Sequence, residues 1–161
     1  MCPTELMKAL KAIEVEISQI YEQDEKHSAV SIDKDTKEPL FESNYNYLDN
    51  RRRVNDLQME ERKIKKALSK FNSTTNVEGY NFTVGEGLVK IGQLRREIHI
   101  LTILTKRAEV FLDSARYSSD DYKRVCYNIE DAKADLKLAQ RELSDLQVAI
   151  DRTNLNSNID Y

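Results

Sequence analysis

The first regular pattern along the chain is Leu6, Leu10, Ile13, Ile17 and Ile20, apolar positions separated by alternating steps of four and three. That spacing puts all five side chains on one stripe of a helix. It predicts a first helix over about 4–23, with Thr4 after Pro3 as its cap and Glu5 in the first turn. Periodicity then stops. Residues 24–44 are rich in Asp, Glu, Lys and Ser and contain Pro39, so they read as a mobile linker with a weak hairpin signal between Val30 and Phe41. A second stripe, Val54, Leu57, Ile64, Leu68 and Phe71, marks a helix over about 45–71. Glu61 stands where an apolar residue is expected, at a wet rim or paired across the seam.

Residues 72–79, Asn-Ser-Thr-Thr-Asn-Val-Glu-Gly, are the clearest interruption. Thr83-Val84-Gly85-Glu86 then reads as a capping box, in which a hydroxyl and a carboxylate satisfy each other's backbone amides. The third helix is expected over about 84–115, on the stripe Leu88, Ile91, Leu94, Ile98, Leu101, Leu104 or Thr105, Ala108, Phe111 and Leu112. A short connection, Arg116-Tyr117-Ser118-Ser119, leads to a fourth helix over about 120–152. Ser118 or Ser119 is its expected cap, with Asp120 and Asp121 placed against the helix dipole. Its stripe is Tyr122, Val125, Ile129, Ala132, Leu136, Ala139, Leu143, Leu146 and Ile150, and residues 153–161 read as a frayed tail. The expected fold is a single all-α domain of about four helices, in which helices three and four make a long antiparallel, coiled-coil-like hairpin. Stripes this narrow bury little in a lone hairpin, so a homo-oligomer is expected to supply further packing.

Composition supports helix and removes several functions. Of 161 residues, a third are charged and 7% aromatic, with four Gly, two Pro and no Trp, too few breakers for a chain of short strands. The net charge of −3, from 25 basic and 28 acidic residues closely mixed, offers no broad cationic field for nucleic acid. No stretch approaches the roughly 20 apolar residues of a membrane span. The opening residues lack a basic segment followed by an apolar run, so no secretory signal is read and a reducing cytoplasm is the expected compartment. The two Asn-x-Ser/Thr matches, at Asn72 and Asn81, are then chance.

Candidate chemistry is sparse. Neither His27 nor His99 follows a Glu at the three-residue spacing of a helical di-iron site, and Cys2 and Cys126 make no metal or redox spacing, so no metal or cofactor is expected. Cys126, beside Val125, reads as a packed thiol. Gly85-Glu86-Gly87 lacks the lysine of a phosphate loop. Arg51, Arg52 and Arg53 point in different directions around a helix and cannot line one groove. That leaves the polar loop Asn72, Ser73, Thr74, Thr75, Asn76, Glu78 and Gly79, joined by Tyr117, as the candidate surface for an unidentified protein or a small polar ligand. The other reading of that loop is structural, its side chains ordering the turn.

The same polar loop, followed by a Thr-capped helix carrying Leu88 and Arg95-Arg96, resembles the septicolysin-like family of small bacterial proteins. The amphipathic opening from Leu6 to Ile20, the Arg116-Tyr117-Ser118 step and the close from Leu146 to Asn154 are similar to it as well. The resemblance implies a bundle of long helices, and the family's name implies membrane lysis; it carries no site residues across. The expected function is a non-enzymatic, self-associating interaction or scaffold protein. A ligand-binding or enzymatic role for loop 72–79 is the alternative, and a membrane-acting lysin the third reading.

Overall fold

A computed structural model describes residues 1–112 and 122–161 of the chain. Among these residues the fold is all-α: four helices, α1 (Pro3–His27), α2 (Tyr47–Thr74), α3 (Val84–Thr105) and α4 (Ile129–Asn156), with one two-stranded antiparallel ribbon, β1 (Val110–Leu112) and β2 (Tyr122–Arg124). The chain divides into two compact units. Unit 1 is Met1–Phe71 with Asn154–Tyr161, and unit 2 is Asn72–Thr153.

In unit 1, α1 and α2 run antiparallel. Asp24 near the end of α1 meets Asn50 and Arg51 near the start of α2, while Glu14 lies 3.8 Å from Lys65 farther along. The seam between them holds Ile20, Val54 and Leu57, with Ile13 and Ile17 packed alongside. Pro3 sits at the first position of α1, where its missing N–H costs nothing, and Cys2 rather than Thr4 occupies the cap. Glu5 accepts from the Cys2 amide at 2.8 Å. Glu61 is half-buried and paired with Lys65, a rim position. Between the helices, the Ser31 to Leu40 segment closes on itself through an Ile32–Pro39 bridge and a turn at Lys37, whose φ is 63°. The Asp33 carboxylate holds that turn by accepting from the Asp35 and Thr36 amides. The weak hairpin signal in the linker was therefore real.

In unit 2, α3 and α4 are likewise antiparallel. Gly87 packs against Ile150, Lys90 pairs with Glu142, and the Tyr127 hydroxyl donates to the Leu104 carbonyl at 2.8 Å. The α4 stripe is as the periodicity indicates from Ile129 to Ile150, with Ala132, Ala139, Leu146 and Ile150 buried. Elsewhere the sequence reading needs correction. Helix α3 stops at Thr105, not near 115, and α4 begins at Ile129, not near 120. Val110 and Phe111 join a strand instead, and Tyr122 lies in its partner. Val and Phe favour a pleated, half-buried surface, and a distant pairing of this kind leaves no three-to-four-residue signal. The hairpin of α3 and α4 is thus closed by a segment containing the ribbon, not by a few residues. Cys126 is exposed ahead of α4, not packed within it. Leu88 is outside the seam; Gly87 takes that place because a side chain there would meet Ile150, Phe82 and Val77 at 3.0–3.3 Å. The Ser118, Ser119, Asp120 and Asp121 cap and the Arg116-Tyr117-Ser118-Ser119 connection lie outside the described residues.

The tail is ordered. Helix α4 continues to Asn156, Thr153 and Asn154 are buried, and Ile159 is 9% exposed. Ile159 exchanges two hydrogen bonds with Met1, at 2.8 and 3.3 Å.

The two units repeat each other. Helices α2 and α4 are both 28 residues long and start 82 positions apart, and α1 and α3 start 81 apart. At these offsets the buried Pro3 and Leu6 match the buried Val84 and Gly87. Leu57, Ile64 and Phe71 match Ala139, Leu146 and Thr153, all buried. The Glu5 capping carboxylate matches Glu86. Asn46 and Asn128 occupy the position before α2 and α4, each accepting from amides of the first turn. Tyr45 and Tyr127, immediately before these caps, both reach back to the last turn of the preceding helix, onto the Asp24 carboxylate and the Leu104 carbonyl. Val77 and Ile159 are matching buried plugs, each tied by a backbone bond to the residue before the cap of its unit's first helix, Phe82 or Met1.

Candidate functional site

The loop singled out from sequence turns out to be a tie in unit 2. Asn72, Ser73 and Thr74 form the last turn of α2. Asn76 bridges to Thr83, the Thr75 carbonyl accepts from the Val84 amide at 2.8 Å, and Val77, 1% exposed, plugs the interior. Gly79 has φ +81°, a conformation that L side chains rarely adopt. The Glu78 amide donates to Thr153 Oγ1 at 2.9 Å. Tyr80 stacks obliquely on Phe82, with ring centres 4.9 Å apart. Tyr117 lies outside the described residues. The loop's backbone is thus committed to joining the loop, α3 and α4, and residues 154–161 repeat the arrangement in unit 1.

Two other constellations were not read from the sequence. The first is polar and lies in unit 1. Asp24 Oδ1 accepts from the Tyr45 hydroxyl at 2.9 Å and from Asn50 Nδ2 at 2.8 Å, while Arg51 pairs with the same carboxylate. The Arg51 guanidinium also lies 5.3 and 5.5 Å from the ring centres of Tyr21 and Tyr47, within cation–π range. Arg53 instead grips Glu16 with two bonds of 2.6 and 3.0 Å, and Arg52 faces Asp49 in solvent. The three arginines do diverge. The Arg53 pairing holds the Glu16 carboxyl below its ordinary range. Beside this cluster, between the end of α1 and the start of α2, a cleft of about 400 Å³ is lined by His27, Phe41, Asn44, Tyr45 and Asn50 among others.

The second constellation is apolar and lies on α3. Its seam-facing side carries Val84, Gly87, Ile91 and Leu94. Turned away from that seam are Leu88, Val89, Ile100 and Ile103, exposed by 47%, 62%, 54% and 42%. Helical spacing sets Gly92, Arg96 and His99 among them. A β-carbon added at Gly92 would meet nothing within 4 Å, and among the described residues neither Arg95 nor Arg96 has an ion-pair partner. A helix apolar on most of its circumference is ordinarily covered on most of it. The signal was present in sequence as Val89, Ile100 and Ile103, three apolar residues off the predicted stripe. No helix among the described residues is long and apolar enough to cross a membrane.

No protein-family model matches the chain, and no curated protein does. Among solved structures, the chain is similar to one described as a functionally unknown conserved protein from Corynebacterium diphtheriae. The identity is 17%, the TM-score 0.71, and 99% of each chain is covered. The all-α fold is therefore shared with a protein known from a crystal.

Proposed function

We propose that this chain is a non-enzymatic helical interaction protein that presents the outer face of α3 to another macromolecule. The observation that carries the reading is the second apolar face of one helix: four large side chains left in solvent beside a seam that is already filled. Exposed apolar patches with a polar rim mark association sites on soluble proteins. The heptad stripes, first expected to drive self-association, are used inside each unit. A homo-oligomer would draw on exposed apolar residues outside the seams, such as this outer face or Ile32, Leu40 and Phe41 of the unit 1 linker. The polar loop 72–79 supports ligand binding less well, since its backbone bonds are spent on the turn.

The test is the native mass of the chain in extracts of its own cells, against the purified chain across a concentration series. An assembly well above 18.7 kDa that collapses towards the bare chain in an Ile100→Glu variant supports the reading. A bare chain in extract and in isolation overturns it. Membrane lysis, implied by the resemblance to septicolysin-like proteins, requires dye release from liposomes.

A further inference from the structure

The internal repeat supplies a control for the outer face of α3. The matching positions on α1 are Met7, Lys8, Lys11, Val15, Ser18, Gln19 and Glu22, all exposed. In α3 they are Leu88, Val89, Gly92, Arg96, His99, Ile100 and Ile103. Two helices with matching capping carboxylates, the same seam phase and equivalent places in their units therefore differ on one side. At four of these seven positions α1 carries polar or charged Lys8, Lys11, Gln19 and Glu22 where α3 carries Val89, Gly92, Ile100 and Ile103; the position of Met7 is apolar in both helices, and at Val15 and Arg96 the exchange is reversed. Nothing in the shared framework requires that change.

We infer that this face docks an amphipathic helix whose apolar stripe is flanked by acidic side chains, crossing α3 at Gly92. This rests on the interaction reading above and names the partner's chemistry. Gly92 is the first argument. A glycine within a helix costs about 1 kcal/mol relative to alanine. Gly87 offsets that cost by letting Ile150 approach, but Gly92 has nothing near it. A small residue flanked one turn away by Leu88 and Val89 on one side and by Arg95 and Arg96 on the other leaves a low point on the face where a second backbone can settle.

Charge is the second. Arg96 sits within the apolar face and Arg95 beside it, and Lys106 and Arg107 follow the end of the helix. The acidic residues of α3, Glu86 and Glu97, are placed elsewhere: Glu86 is bound into the cap, and Glu97 falls on a different side of the helix. A partner carboxylate would satisfy Arg96 while both are covered, the arrangement that makes burial of a guanidinium tolerable. A bilayer would drive Arg96 towards hydrocarbon and has no use for a notch at Gly92. A second α3 would bring Arg96 against arginine or against leucine and valine, never against a glutamate of the same face. An acidic helix answers all three features.

The full chain is titrated with a synthetic three-heptad peptide carrying Leu at the seam positions and Glu beside them, and with the same peptide carrying Lys for Glu. Binding of the acidic peptide alone, weakened roughly tenfold or more by Arg96→Glu and by Gly92→Leu but not by Lys11→Leu at the matching α1 position, is the expected result. Circular dichroism checks that the variants, at exposed Arg96 and Lys11 and at half-buried Gly92, remain folded. Equal binding of both peptides, or indifference to Arg96→Glu, overturns the inference. So does binding to anionic phosphatidylserine vesicles in place of the peptide, or concentration-dependent dimerisation of the chain that Arg96→Glu strengthens. Should the native-mass experiment show assembly through Ile100 while the acidic peptide fails, the interaction reading stands and only this assignment of the partner falls.

Discussion

Units 1 and 2 solve one packing problem with different residues, and the differences separate framework from function. Each is an antiparallel helix pair with a strand-like segment between the helices. In each, a capping carboxylate opens the first helix, a Tyr-Asn pair precedes the second, and a buried aliphatic plug closes the end. Where unit 1 places fully buried Leu6, unit 2 places Gly87 and fills the volume with Ile150, Phe82 and Val77. Where unit 1 joins its helices through Asp24, Asn50 and Arg51, unit 2 has Thr105, Ala132 and Lys133 at the matching positions; Thr105 bonds back to the Thr102 carbonyl and Lys133 pairs with Glu130 inside α4. These exchanges keep seams closed. The outer face of α3 does not close a seam, and that is why it stands out against α1.

The largest effects are expected where the framework is shared. Ile64→Ala and Leu146→Ala occupy matching positions, each 1% exposed, and each should cost about 2–5 kcal/mol. Chemical denaturation followed by amide exchange checks whether each loss is felt chiefly in its own unit; identical exchange in both units after either substitution would show that they open together. Next comes the cluster that only unit 1 has. Asp24→Ala leaves Arg51 among Tyr21 and Tyr47 without its carboxylate and frees Tyr45 and Asn50. The pair is partly exposed, so a loss of about 1–3 kcal/mol is expected, below that of a fully buried ion pair. Thr105→Ala, the match in unit 2, should cost less than half as much in the same melt.

The smallest effect is one of pH. Glu5 and Glu86 are both held below the ordinary carboxylate range, chiefly by the amides of Cys2 and Thr83. A group whose folded pKa is lowered contributes stability above its unfolded pKa and loses it as pH falls through the folded value. Both helix starts should therefore loosen together on acidification, and amide exchange near Leu6 and Gly87 reports it. Glu86→Gln should remove the pH dependence in α3 and leave that of α1.

The helical framework was legible because seams obey a heptad rhythm: Ile129 to Ile150 on α4 and Val54 to Phe71 on α2 fall where their spacing puts them. Leu88 misled because burial at that turn was decided by a close approach to Ile150, which selected the neighbouring glycine. Residues 106–112 misled because Ala108, Phe111 and Leu112 continue a helical rhythm while a distant strand claims Val110 to Leu112. The repeat was hidden because a seam constrains hydrophobicity more than identity. Apart from Tyr-Asn-x-x-Asp at 45–49 and 127–131, and Asn-Val-Glu against Asn-Ile-Asp, the twins share little wording. The polar loop drew attention by composition, and its role as a tie depended on Thr153, Phe82 and Val84, which spacing does not reveal.

The most direct test moves the α1 face onto α3 by making Val89→Lys, Gly92→Lys, Ile100→Gln and Ile103→Glu together, then follows thermal unfolding by circular dichroism. A docking surface has no part in holding its own unit, and Gly92→Lys improves helix propensity by about 0.5–1 kcal/mol. The expected result is cooperative unfolding at or above the Tm of the unaltered chain. Loss of the cooperative transition, or a fall in Tm of about 10 °C or more, would mean that these side chains belong to the core, and would contradict the account.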